Sequence, residues 1–200
     1  MKKLRFLALA VLFLSAPALA ESASDRRWET LADRYLDEMP AFSPVGATGM
    51  GDHRFDGELG EIGPEARARW VAFLNDVRRE LAAIDRAELT RANQVDYALL
   101  AHAIESSLWG VEELQAWAWN PINYSQTAGG AIYSLMAREF APLPERLARV
   151  AERLEKLPRY LKGVRRTLDP ERVPKIHAET AARQNGGVLS ILENMVKPSM

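Results

Sequence analysis

The strongest constraint on this chain is the spacing of its apolar residues. Almost every periodic segment repeats at three and four residues, and no stretch shows convincing two-residue alternation. A chain patterned this way buries stripes of helices and has no sheet to build on. The expected fold is therefore all-α, a multi-helix array of about seven helices. The first runs from about Ser24, with Trp28, Leu31, Tyr35, Leu36 and Met39 on one face, until Pro40 ends it. A second starts at Pro64, a favoured first-turn residue, and buries Trp70, Phe73, Leu74, Val77, Leu81 and Ile84. Thr90 then caps a long third helix, Arg91 to about Leu114. That helix has two adjoining apolar stripes, one of Val95, Leu99 and Ala103, the other of Leu100, Ile104, Leu108 and Val111. So wide an apolar surface implies several neighbours.

The connections carry the remaining expectations. Ala41 to Gly63 reads as a long Gly-rich loop, and long loops in compact domains are usually functional or unusually packed. Trp117 to Tyr124 reads as an aromatic turn broken by Asn120-Pro121, followed by a Gly129-Gly130 step and a short helix. A helix from Glu145 carries Leu147, Val150, Leu154 and Leu157, Pro158 opens another, and a last one runs from about Lys175 toward Val196. Opposite the leucines, Arg146, Arg149, Arg153, Lys156, Arg159 and Lys162 interleave with glutamates as a solvated, ion-paired face.

The N-terminus reads as a secretory signal over residues 1–20. Lys2, Lys3 and Arg5 precede the apolar run Phe6 to Leu14, and Ala18-Leu19-Ala20 is a small-x-small cleavage site. The run is too short for a bilayer core of roughly 30 Å, so no membrane span is expected after cleavage. With no Cys in the chain, neither disulfides nor a lipid anchor are expected. The signal holds three of the 26 basic residues and none of the 27 acidic ones, which leaves residues 21–200 at a net charge of −4. A mildly acidic, exported protein in the periplasm or outside the cell is a poor nucleic-acid binder, which needs a clustered positive field. Residues 21–200 suffice for one helical domain, or for one lobe of something larger.

Three histidines allow a full audit of metal chemistry. His102 and Glu105 share a helix face, yet no second His is near, and zinc needs three or four ligands. His177-x-Glu179 resembles half of a deaminase signature whose cysteines this chain lacks. His53 lies in Gly51-Asp52-His53-Arg54-Phe55-Asp56, where Asp52, His53 and Asp56 either line a ligand site or bond within a tight turn that Phe55 plugs. Asn120 and Tyr124 are further candidates for ligand contact, with packing as the alternative for the whole aromatic turn. No Gly-x-Ser-x-Gly elbow and no phosphate-binding Gly-Lys-Ser/Thr loop occurs, and no catalytic or metal residue is assigned.

Several of these stretches, in order, resemble the N-terminal part of the bacterial family called domain of unknown function 885. They are Gly51 to Asp56, the Asp-Tyr helix at Asn93-Gln94-Val95-Asp96-Tyr97, Asn120-Pro121 with Tyr124 and Gly129, and Arg153 to Leu161. The resemblance implies a longer, all-helical, exported relative that looks like a zinc-dependent peptidase with a His-Glu-x-x-His helix. In that motif two His hold zinc and the Glu activates its water. No such motif occurs in these 200 residues. The implied reading is the N-terminal lobe of a zincin-like helical hydrolase, inactive as given, with no cofactor of its own. Zinc and a peptide-like substrate are expected only in a full-length relative. The other reading is a non-catalytic periplasmic helical interaction module. A lobe parted from its partner should expose apolar patches above the few hundred Å² usual for monomers.

Overall fold

The structure is a computed structural model that describes residues 22–200; the stretch read as a secretory signal, residues 1–20, lies outside them. Among the described residues it is all-α, with eight α-helices, short 3₁₀ and π turns and no strand. The helices are α1 (Ala23–Glu38), α2 (Pro44–Met50), α3 (Pro64–Ala82), α4 (Arg91–Trp109), α5 (Ala116–Trp119), α6 (Pro121–Met136), α7 (Leu143–Thr167) and α8 (Lys175–Ile191). None of the described helices is long and apolar enough to cross a membrane.

Two bodies share the chain. In the first, α1, α3 and α4 close over one core: Trp28 and Leu31 meet Phe73, Leu74, Val77 and Leu81 across α3, and Leu100, Ile104 and Leu108 across α4. In the second, α6 lies against α7, α8 and α2. Ile132 and Leu135 pack there with Val150 and Val196, while Ala131 packs with Leu59, Tyr160 and Val164. The bodies are stitched by Phe42, whose ring lies 5.0 Å from both Trp70 and Phe73. Arg54 reaches the Asp37 carboxylate, and Arg67 stacks over the Trp117 ring at 3.7 Å.

The helix boundaries follow from local chemistry. Ser22 and Asp25 form a reciprocal capping box at α1, so two orphan backbone donors are satisfied at once. Asp25 does more than cap. Its Oδ1 accepts from the Thr90 backbone N–H at 2.9 Å, the Thr90 hydroxyl at 3.2 Å and Asn93 Nδ2 at 2.8 Å. One buried carboxylate thus ties the N-terminus of α1 to that of α4, where Thr90 is the N-cap as expected.

Four expectations are corrected. The stretch Ala41 to Gly63 is not an open loop. It contains α2 and a 3₁₀ turn, His53–Phe55. Two glycines within seven residues hide that helix, which burial of Ala47 and Thr48 sustains, and which Gly51 ends at a φ of 95°. Gly129-Gly130 is no break but lies within α6, where a Cβ on Gly129 would meet Val188 of α8 at 3.2 Å. Pro158 opens no new helix. It lies inside α7 on the exposed side, where water can serve the carbonyl that loses its partner. Leu36, placed on the inner face of α1, is exposed.

The Asp25 clasp generates a pH prediction. Hydrogen bonds, led by that from the Thr90 backbone, hold its carboxyl down to about 2 from 3.8. A depressed folded pKa stabilises above the unfolded value and is lost as pH falls through the folded one. Stability should therefore drop between about pH 4 and pH 2, and Asp25→Asn should flatten that limb in acid titrations followed by circular dichroism.

Candidate functional site

The residues singled out for ligand contact form two hydrogen-bonded groups, one on the α2 side and one at the start of α6. In the first, Asp52 caps the 3₁₀ turn by accepting from the Arg54 N–H at 3.1 Å, and it pairs with the Arg54 guanidinium. Those Arg54 hydrogen bonds lower the Asp52 pKa. Asp56 is buried, and the Thr48 hydroxyl donates to its Oδ1 at 2.6 Å. His53 Nδ1 lies 2.9 Å from Asp56 Oδ2, and its ring stacks on Phe140 at 3.7 Å. Phe55 is only half-buried, and Leu59 fills the core below instead.

The centre of this group is a residue that the sequence reading placed on the surface. Arg153 is 1 % exposed. Its Nε donates to the Glu58 carbonyl at 3.0 Å, one terminal nitrogen to the Ala131 carbonyl at 2.7 Å, and the other to Thr48 Oγ1 at 2.7 Å. One planar cation therefore binds α7 to α6, to α2 and to the extended segment behind it. Burial pulls its pKa down to about 10, while the charges of Asp56 and Glu58 pull the other way. It remains protonated at any pH near neutrality. Arg146 is buried as well, donating to the Ala141, Leu135 and Met136 carbonyls at the end of α6. The solvated face of α7 is real for Arg149, Arg159 and Lys162, and wrong for these two arginines.

A signal for them existed. Arg146, Val150, Arg153, Leu157, Tyr160 and Val164 recur at spacings of four and three, a single helix face. Two arginines inside an apolar stripe point to buried cations with many carbonyl partners.

The second group is the aromatic turn. Asn120 is the N-cap of α6: its Oδ1 accepts from the Ile122 N–H at 3.2 Å, and His177 Nδ1 of α8 lies 3.1 Å from the same oxygen. Trp117 and Trp119 each donate an indole N–H, at 2.9 Å, to the Val111 and Leu114 carbonyls. Those carbonyls belong to the π turn Gly110–Leu114 that ends the α4 rod, where helical partners run out. The Tyr124 hydroxyl donates to the Trp117 carbonyl at 2.7 Å, and burial raises its pKa to about 12. Tyr124 also lines a small cleft of about 190 Å³ with Phe42, Val45, Leu59, Ile62 and Tyr160.

The chemistry of both groups is positional. In a hydrolytic triad the imidazole stands between nucleophile and carboxylate. Here Asp56 stands between Thr48 and His53, so the imidazole does not reach the hydroxyl. His53 pairs with Asp56, His102 with Ser106 on α4, and His177 with Asn120, three separate places. Among the described residues no three His, Cys, Asp or Glu side chains converge to hold a metal ion, and the donors present do not fit zinc.

Fold and site together define an all-helical, two-bodied protein whose buried polar groups bond to one another and to the backbone. The chain belongs to the bacterial family of proteins of unknown function DUF885, which matches residues 44–198. A solved structure from Shewanella oneidensis, described as a "putative lipoprotein of unknown function", is similar at a TM-score of 0.77 and 28% identity. The similarity covers 84% of this chain and 30% of that one, so the chain spans less than a third of its solved neighbour. No curated protein matches.

Arg153→Met should cost about 3–5 kcal/mol in urea denaturation, because Asp56 and three backbone or hydroxyl acceptors lose a buried cation. Asn120→Ala should cost about 1 kcal/mol through the lost N-cap, while Asn120→Asp keeps most of that stability.

Proposed function

We propose that this chain is the N-terminal helical lobe of an exported, zinc-dependent peptidase-like hydrolase. The observation that carries the reading is the asymmetry of the structural match, which takes in 84% of this chain and only 30% of its neighbour. In that neighbour the counterpart of this helical array is the minor part of a longer protein, and the family resemblance supplies the class of chemistry. The reaction is metal-assisted hydrolysis of a peptide or related amide bond, with the zinc ligands outside these 200 residues. Within the lobe, Tyr124 lines the small cleft, and Asn120, Asp52, His53 and Asp56 are the further residues through which the lobe would meet a ligand. The signal-like N-terminus supports export, as does the lipoprotein description of the neighbour.

The purified 200-residue chain should bind zinc at well below one equivalent and cleave no peptide library. The product of the complete reading frame should contain a His-Glu-x-x-His helix, bind about one zinc per chain and hydrolyse peptides. Tight zinc in the short chain, lost in His53→Ala or His102→Ala, would overturn the assignment of the metal elsewhere. A reading frame that closes without the motif would leave the non-catalytic helical interaction module as the better reading.

A further inference from the structure

The outward face of α4 differs from that of the other long helices around it. The exposed sides of α1, α3 and α7 carry charges, among them Arg27, Asp33, Arg78, Arg79, Arg149 and Arg159. On α4 the exposed charges, Arg91, Asp96 and Glu105, flank a line of Ala92, Val95, Leu99, His102, Ser106 and Trp109, all exposed and none of them an acid, lysine or arginine. Val95 is 43% exposed, Trp109 55% and Leu99 63%. Their spacing alternates three and four residues without a slip over about 25 Å of helix. This is the seam of a helix that packs against another helix at a shallow crossing angle. The opposite stripe, Leu100, Ile104 and Leu108, is already spent on the core of the first body. An α-helix that is apolar on both sides is normally covered on both.

Trp109 sharpens the contrast. Trp117 and Trp119 give their indole N–H groups to backbone carbonyls, but the Trp109 indole N–H meets no acceptor among the described residues. A large ring left open at the end of such a seam, with charges only along its borders, is the usual anchor of a buried interface. The solved neighbour shows how much polypeptide there is to provide a cover, since more than two thirds of it lies outside the matched region.

We infer that the Ala92–Trp109 seam is the docking face for an amphipathic helix from the part of the same polypeptide that lies beyond these 200 residues. This rests on the reading of the chain as a lobe, and it commits to an occupant whose facing side presents aliphatic residues at the same alternating spacing. Alternating small and large side chains, Ala92 and Ser106 beside Leu99 and Trp109, set the register.

The chain contains no cysteine, so one introduced thiol reports on one position. Leu99→Cys on α4, with Arg159→Cys on the charged face of α7 as control, can be alkylated in the 200-residue chain and in the product of the complete reading frame. We expect Leu99→Cys to react rapidly in the short chain and about tenfold or more slowly in the long one, where labelling needs local opening. Arg159→Cys should react alike in both. Equal labelling of Leu99→Cys in both proteins would overturn the inference, as would a reading frame that ends at Met200. Protection already present in the short chain, growing with its concentration and accompanied by a dimer in sedimentation, would assign the seam to a second copy instead. Protection in a long protein that neither binds zinc nor cleaves peptides would uphold the docking face and sink the hydrolase reading.

Discussion

The second body is organised around one buried guanidinium. Removing a charge from water is costly, and Arg153 offsets that cost only because its donors meet carbonyl and hydroxyl acceptors from separate segments. The Asp56 carboxylate supplies the countercharge through Thr48 rather than by direct contact. Each acceptor is useful only if all the segments are in place together. This makes the network a test of correct assembly, with Thr48, Glu58 and Ala131 fixed relative to one another by a rigid planar fork. Asp25 performs a similar service in the first body, with the charge reversed and backbone and amide donors gathered around a carboxylate.

Helical class and most helix starts were legible in the sequence, since they depend on local signals. Pro64, Thr90 and the Pro40 stop act through the dihedral and hydrogen-bonding chemistry of single residues. The helix α2 was not legible, because Gly46 and Gly49 argue against a helix locally and tertiary burial of Ala47 and Thr48 overrides them. Pro158 misled in the opposite direction: a proline marks a boundary only where its neighbours cannot tolerate a missing hydrogen bond. The buried arginines were within reach, since their register with Val150 and Tyr160 is visible, yet arginine's ordinary preference for solvent argues for the surface.

The candidate site shows the same division. Bonding of Asp52 within its own turn was one of the two alternatives that side-chain inventory offers, and packing of the indoles was the alternative to ligand contact. That His53 would stack on Phe140, and Asn120 meet His177, depends on helices far apart in sequence being brought together. No local pattern contains that information. The two apolar stripes of α4 were also visible in advance, but only the structure shows that one is spent within the array and the other is left uncovered.

The placement of α2 has a topological consequence. In sequence it falls between α1 and α3, which belong to one body, yet it packs against α6 of the other. The two bodies are therefore interleaved along the chain, and no single cut can separate them. Thr48 must wait for Arg153, 105 residues later, before its hydroxyl finds its donor. A polypeptide emerging from its N-terminus exposes α2 before any of the α-helices it packs against has been made. In vectorial synthesis the burial of α2 therefore waits for α6 and α7 to leave the ribosome.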